Sequence, residues 1–132
     1  MATTTASISI SSSDMIPGMA MNYYKTATLH KAGGCKGLEK MQSGTREYTS
    51  TSTVELLDES VVTTDKANKL YIKNLSTDTT EYFTVYIQSE ELGRLYAGDW
   101  MFVPWSAGSS NNVQVAPSVA SSMKLEYIVV HE

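Results

Sequence analysis

From Lys69 to Trp105 the chain reads KLYIKNLSTDTTEYFTVYIQSEELGRLYAGDWMFVPW, and its apolar residues recur at every second position. Phe83, Val85 and Ile87 fall on one side of an extended chain, with Tyr82, Thr84, Tyr86 and Gln88 on the other. Successive residues of a β-strand point to opposite faces, so this period marks a strand with one apolar face. Leu70, Ile72 and Asn74 alternate with Tyr71 and Lys73 before it, and Trp100 and Phe102 with Met101 and Val103 after it. The stretch predicts a β-meander of three or four short strands. Because Met101 and Val103 make the Trp100–Phe102 strand apolar on both sides, the pattern predicts burial between two layers or cover by a partner. Pro104 has no N–H to give to a ladder, so that strand should end, or lie at a sheet edge, near there.

The rest of the chain repeats this signal more weakly. Tyr23 to Lys31 reads as a strand, Ala32 to Gly44 holds four of the eight glycines and reads as a surface loop, and Thr45 to Leu57 resumes strand propensity. Val61-Val62 suggests a short strand, Gly108 to Asn112 a turn, and Met123 to His131 a last strand with Met123, Leu125, Tyr127 and Val129 on one face. No segment sustains a 3.6-residue period. Short strands punctuated by turns every ~8–12 residues predict an all-β, single-domain antiparallel β-sandwich or jelly roll. The chain has 132 residues, enough for one buried core.

Residues 1–14 contain eight Ser or Thr, with Ala6, Ile8 and Ile10 alternating with Ser7, Ser9 and Ser11. This predicts an extended N-terminal arm over residues 1–22, ahead of a sandwich domain over 23–132. The arm becomes a strand by pairing with a sheet edge, its own or a neighbour's. Pro17-Gly18 marks a turn, and Met15, Met19 and Met21 cluster around it. Methionine adapts to irregular contact surfaces, so the cluster reads as an interface plug or as gap-filling beneath the sheet. Ile8, Ile10, Met15, Met19, Met21, Trp100 and Trp105 are the interface candidates. Trp100 and Trp105, with Tyr71, Tyr82, Tyr86 and Tyr96, would also suit a sugar-stacking platform, or simply the core.

Charged residues are only 18% of the chain, and 17 Ser and 15 Thr take their place. Hydroxyls cost less to desolvate than charges, so such a surface suits packing against copies or partners, although plain β-sandwiches share it. The net charge of −4 argues against nucleic-acid binding, which draws its affinity from clustered Lys and Arg. Lys25, Lys31, Lys36, Lys40 and Arg46 against Glu39 make a local basic excess, read as a solvated loop or as a patch for an acidic partner. No apolar run approaches the ~20 residues of a membrane span, and the N-terminus has neither the basic nor the apolar region of a secretion signal.

Chemistry is hard to find. Cys35 is the lone cysteine, in a Gly-Gly-Cys-Lys-Gly context that places no histidine beside it to lower its pKa. His30 and His131 share no ligand spacing, and Asp58-Glu59 and Glu90-Glu91 are adjacent pairs that an extended chain points apart. No phosphate loop, nucleophile elbow or calcium loop occurs. Asn74-Leu75-Ser76 fits the glycosylation sequon, a weak three-residue pattern. No catalytic, metal or cofactor residues are expected, and the chain reads as a non-enzyme.

Four segments carry a resemblance. They are Leu70-Tyr71-Ile72-Lys73-Asn74-Leu75, then Tyr82 to Ile87, then Leu95-Tyr96-Ala97-Gly98-Asp99-Trp100-Met101-Phe102, and finally Leu125-Glu126-Tyr127-Ile128-Val129-Val130. The stretch from Leu70 to Glu132 resembles small β-proteins of tailed bacteriophages, with departures at the inserted Thr77 to Tyr82 and at Pro104-Trp105. The Ser/Thr-rich N-terminal half matches them only in character. The resemblance implies a virion structural protein, most naturally a capsid decoration or cement protein on the outer surface of the head. Its implied partners are the major capsid protein and copies of itself in a homo-oligomer, a trimer being one such arrangement. A head–tail or tail-fibre component and a carbohydrate-binding β-sandwich module are the alternatives. No catalytic residues come with the resemblance.

Overall fold

The computed structural model describes residues 3–108 and 110–132, leaving aside the side chains of Met15 and Ile16. It divides into two compact units, residues 1–39 and 40–132. The boundary expected between residues 22 and 23 falls inside a strand.

The first unit is a two-stranded antiparallel ribbon of β1 (Thr4–Ile16) and β2 (Met19–Leu29). Pro17 and Gly18 turn the chain between Ile16 and Met19, and Gly18 takes φ +79°, a conformation that glycine alone adopts freely. The expected arm is therefore paired within its own unit, with Ile10 opposite Tyr23 and Ser7 opposite Thr26. After β2 the chain folds back through turns, where His30 bridges Gly37, the Leu38 N–H donates to the Leu29 carbonyl, and Lys31 pairs with Glu39 at 2.7 Å.

The second unit is a sandwich of two four-stranded antiparallel sheets. Its strands are β3 (Lys40–Tyr48), β4 (Val54–Leu57), β5 (Lys69–Asn74), β6 (Tyr82–Ile87), β7 (Glu90–Tyr96), β8 (Trp100–Pro104), β9 (Val113–Pro117) and β10 (Met123–His131). One sheet has the order β3-β10-β5-β8 and the other β4-β9-β6-β7. β6 pairs with β7, β5 with β8, β4 with β9 and β3 with β10, all antiparallel. This is one long hairpin, nested about the β6–β7 turn and rolled so that β10 also meets β5 and β9 meets β6. Eight strands wound in that way form a jelly roll, which decides between the two all-β architectures expected. Gln88 and Ser89 make the central turn, both at positive φ, as a two-residue hairpin of the type matching strand twist requires.

The core lies between the sheets. Leu70 and Ile72 of β5, Phe83 and Val85 of β6, Val113 and Val115 of β9, and Met123, Leu125 and Val129 of β10 are buried there, as the alternation predicts. Fully burying each such side chain contributes about 1.5–3 kcal/mol. Gly44 of β3 leaves room for the Tyr127 ring, whose atoms lie 2.9–3.0 Å from where a Cβ would stand. Two expectations fail locally. β3 starts at Lys40, within the stretch expected to be a loop, because pairing with β10 supplies the ladder that a glycine-containing segment cannot build alone. Val61 ends a short 3-10 turn, Glu59–Val61, instead of starting a strand; Asp58 caps it by accepting from the Ser60 N–H at 2.8 Å.

Candidate binding surfaces

From Thr4 to Ser12 the register of the ribbon sorts its side chains; it shifts between Ser12 and Ile16. Ala6, Ile8 and Ile10 of β1 share a face with Met21, Tyr23, Lys25 and Ala27 of β2. The opposite face carries Thr5, Ser7, Ser9, Ser11, Asn22, Tyr24, Thr26 and Thr28, and no formal charge. That face is tied together across the strands. Ser7 and Thr26 hydroxyls lie 2.9 Å apart, Thr26 donates to the Tyr24 oxygen at 3.1 Å, and the Tyr24 hydroxyl reaches Ser7 at 3.4 Å. These bonds hold the Tyr24 phenol below its usual pKa, the Ser7 contact contributing most.

The aliphatic face is amphipathic in composition but not covered. Ile8, Ile10 and Tyr23 are exposed at 39%, 44% and 48%, and Met19 beside the turn is exposed as well. Met21 is half-buried, while the Met15 side chain lies outside the described residues. A two-stranded hairpin with an apolar face in water is at best marginally stable by itself. Lys25 lies on this face, its ammonium 5.8 Å from the Tyr23 ring centroid. An open depression near the tip, lined by Ser11, Ser13, Asp14 and Asn22 among others, is widely open to solvent.

A second open surface lies on the outer side of the β3-β10-β5-β8 sheet. Three rows cross it: Met41, Val130, Lys69 and Pro104; Ser43, Ile128, Tyr71 and Phe102; Thr45, Glu126, Lys73 and Trp100. Trp100, Phe102 and Met41 are exposed, and Tyr71, Ile128 and Val130 are half-buried. The Tyr71 and Trp100 rings sit 6.2 Å apart at 35°, and the Tyr71 hydroxyl donates to Glu126 at 3.2 Å. Partial burial first, and Glu126 second, push the Tyr71 phenol above its usual pKa. β8 is an edge strand with Met101 and Val103 packed toward the core and Trp100 and Phe102 outward, so of the two expectations for it, burial between two layers of its own chain is corrected. It ends at Pro104, as that residue's missing N–H predicts.

Trp105 is a correction too. It is 2% exposed, its indole N–H donates to the Asn111 carbonyl at 2.7 Å, and its own N–H donates to Asn68. Its place after the edge strand turns it under the Gly108–Asn112 region and into the core, so it offers no surface for a partner or a sugar. Asn74 is fully buried, its side-chain nitrogen donating to the Leu95 carbonyl at 3.0 Å while its oxygen accepts from Ser76. The sequon is thus a structural joint between β5 and β7. Phe102, Met41 and Tyr23 were not among the interface candidates, whereas Tyr71 was one of the tyrosines weighed with Trp100. Phe102 carried a signal in its alternation with Met101 and Val103.

The outer side of the other sheet is held differently. Arg94 lies over the Tyr82 ring at 4.6 Å, and Tyr82 and Tyr96 are 5.2 Å apart, which spreads a cation across the aromatics. Among the described residues no three His, Cys, Asp or Glu side chains come together as a metal site, and no helix is long and apolar enough to cross a membrane. Cys35 is exposed.

No protein-family model and no curated protein matches the chain. Among solved structures it is similar to the crystal structure of the Yersinia pseudotuberculosis-derived mitogen, at 11% identity and a TM-score of 0.44, over 70% of this chain and 86% of that one. A likeness at that level carries no functional argument, and the jelly roll stands on its own strand pairing.

Proposed function

We propose that this chain is a structural protein of a bacteriophage virion that decorates the capsid, binding the outer surface of the shell and stabilising it. The observation that carries the reading is the ribbon: a long hairpin whose aliphatic face, with Ile8, Ile10 and Tyr23, is left open to solvent. Such a face marks a protein contact. The jelly-roll body would supply a rigid platform, and the hydroxyl-rich surface would desolvate at low cost. Repeated over a symmetric shell, contacts of modest strength add through avidity. Jelly rolls serve many functions, so the fold lends only analogy. The test is whether the protein co-purifies with intact particles, and at what copy number. Hundreds of copies per particle support decoration, about a dozen or fewer would move the protein to the head–tail or tail region, and none would end the reading.

A second reading rests on a different observation, the exposed Trp100 beside Tyr71 on an open sheet face, where flat aromatic rings can stack on sugars. A Trp100→Ala variant that keeps its fold and loses binding on a glycan array supports it. Absence of wild-type binding on the array overturns it.

A further inference from the structure

We infer that the outer edge of β1 pairs with the same edge of β1 in a second copy, antiparallel about a two-fold axis, so that two ribbons make one four-stranded sheet. β1 pairs with β2 alone, so half of its peptide groups from Thr5 to Ser11 point to a side where, among the described residues, no strand lies. Ser7 to Ser11 are all exposed in the whole chain. An open row of N–H and C=O groups is a template for another strand. A hairpin of two strands is marginal by itself, and the third and fourth strands supply what it lacks.

The other sheet edges carry the devices that blunt such pairing. β2 has Lys25 near its middle, and β3 has Lys40, Arg46 and Glu47. β4 is four residues long, and β8 is five and ends in Pro104. β7 carries Glu90, Glu91 and Arg94, with a break in register beside Gly93. From Thr4 to Ser12, β1 has no charge, no proline and an unbroken register. It is the edge left ready to pair.

A second copy fits that edge. Opposite residues of an antiparallel pair share a face, so an axis perpendicular to the sheet at Ser9 sets Ile8 beside Ile10 of the copy and Ser7 beside Ser11. Aliphatic then continues aliphatic, and hydroxyl continues hydroxyl. Stacking two ribbons by their aliphatic faces is the competing arrangement, and Lys25 opposes it. Lys25 stands opposite Ile8 in the middle of that face, and no carboxylate lies in the registered stretch to meet it once desolvated. Edge pairing puts β2 outermost, three strand spacings from its copy, so the two Lys25 stand about 14 Å or more apart, beyond the Debye length of about 8 Å. The sheet stops at two copies because its new outer edges are the β2 edges that Lys25 guards. The pairing does not rest on the shell contact proposed above, and it leaves the aliphatic face free for that contact.

Sedimentation of the full chain under reducing conditions, which keep the exposed Cys35 from cross-linking copies, tests the inference without any particles. The expected mass is twice 14.5 kDa. Ser9→Lys and Ser9→Glu should each weaken association by about tenfold, since each sets two like charges together at the axis. An equal mixture of the two should associate more strongly than either alone. Asn22→Lys and Tyr23→Ser, on the two faces of β2, should leave the dimer intact. Ser9→Cys in a Cys35→Ser chain is a nearly isosteric change that serves should the charged variants not fold. Mild oxidation should join its copies far faster than those of Asn22→Cys in the same background. A wild-type chain still monomeric at about 100 μM, where Kd corresponds to only about 5.5 kcal/mol, overturns the inference. So does a dimer that Ser9→Lys leaves undiminished, or that Tyr23→Ser abolishes, the result expected of face-to-face stacking. A mixture no stronger than its components, or equal cross-linking from the two cysteine positions, overturns it as well.

Discussion

β1 and β10 are both long strands in which apolar residues alternate with polar ones, and they end in opposite surroundings. β10 lies between β3 and β5, and its Met123, Leu125 and Val129 are buried against the facing sheet. β1 pairs with β2 alone, and its Ile8 and Ile10 are exposed. Alternation decides which side chains share a face. Whether that face is covered depends on a second layer, which comes from elsewhere in the chain or from another molecule.

The largest expected contrast follows from this. Trp105→Ala should destabilise the sandwich by about 3–5 kcal/mol, the usual result of emptying a large buried aromatic site, whereas Ile10→Ala should change the monomer's stability by about 0.5 kcal/mol or less. Denaturant titration at low protein concentration measures both, and equal losses would break the contrast between the units. Next in size, Asn74→Ala should cost about 1–3 kcal/mol, because it strands the Leu95 carbonyl and the Ser76 N–H at the joint between β5 and β7. The cost should appear in the unfolding of residues 40–132, and a variant as stable as the parent would show the joint to be dispensable.

Hydrogen exchange sharpens the comparison more gently. In dilute protein the amides of β1 and β2 should exchange well before those of β5, β6 and β10, whose opening requires loss of the core. Similar protection in both units would mean the ribbon is held as firmly as the sandwich. The smallest effect is on pH. Asp58 and Asp78, held below their ordinary value of 3.8 by bonds from Ser60 and Thr80, have lower pKa values folded than unfolded. Their contribution is therefore present above about pH 4 and is lost as pH falls through the folded values. An acid titration of stability should flatten slightly in a doubly substituted Asp58→Asn, Asp78→Asn variant. An unchanged curve would show that these caps do not matter.

Much of the fold is legible in the residues because a period of two is a local property. Leu70 and Ile72, Phe83 and Val85, and the β10 series could be assigned to one face before any partner strand was known. The candidate surfaces were legible only in part. Ile8, Ile10 and Trp100 were found by their alternation, while Met41 stands out only when β3 is set beside β10. Trp105 was misjudged because a residue following an edge strand can turn outward or inward, and its Asn68 and Asn111 partners are 37 and 6 residues away.

By itself, then, the chain determined that it is all-β, where most of its strands run, and which side chains share a face, since pleat geometry acts between neighbouring residues. Only the tertiary structure decided that strands as distant as β3 and β10 pair, that Trp105 lies in the core, and that the ribbon and the Trp100–Phe102 face remain open. Burial is a property of what the second layer covers, and the second layer comes from residues far away along the chain.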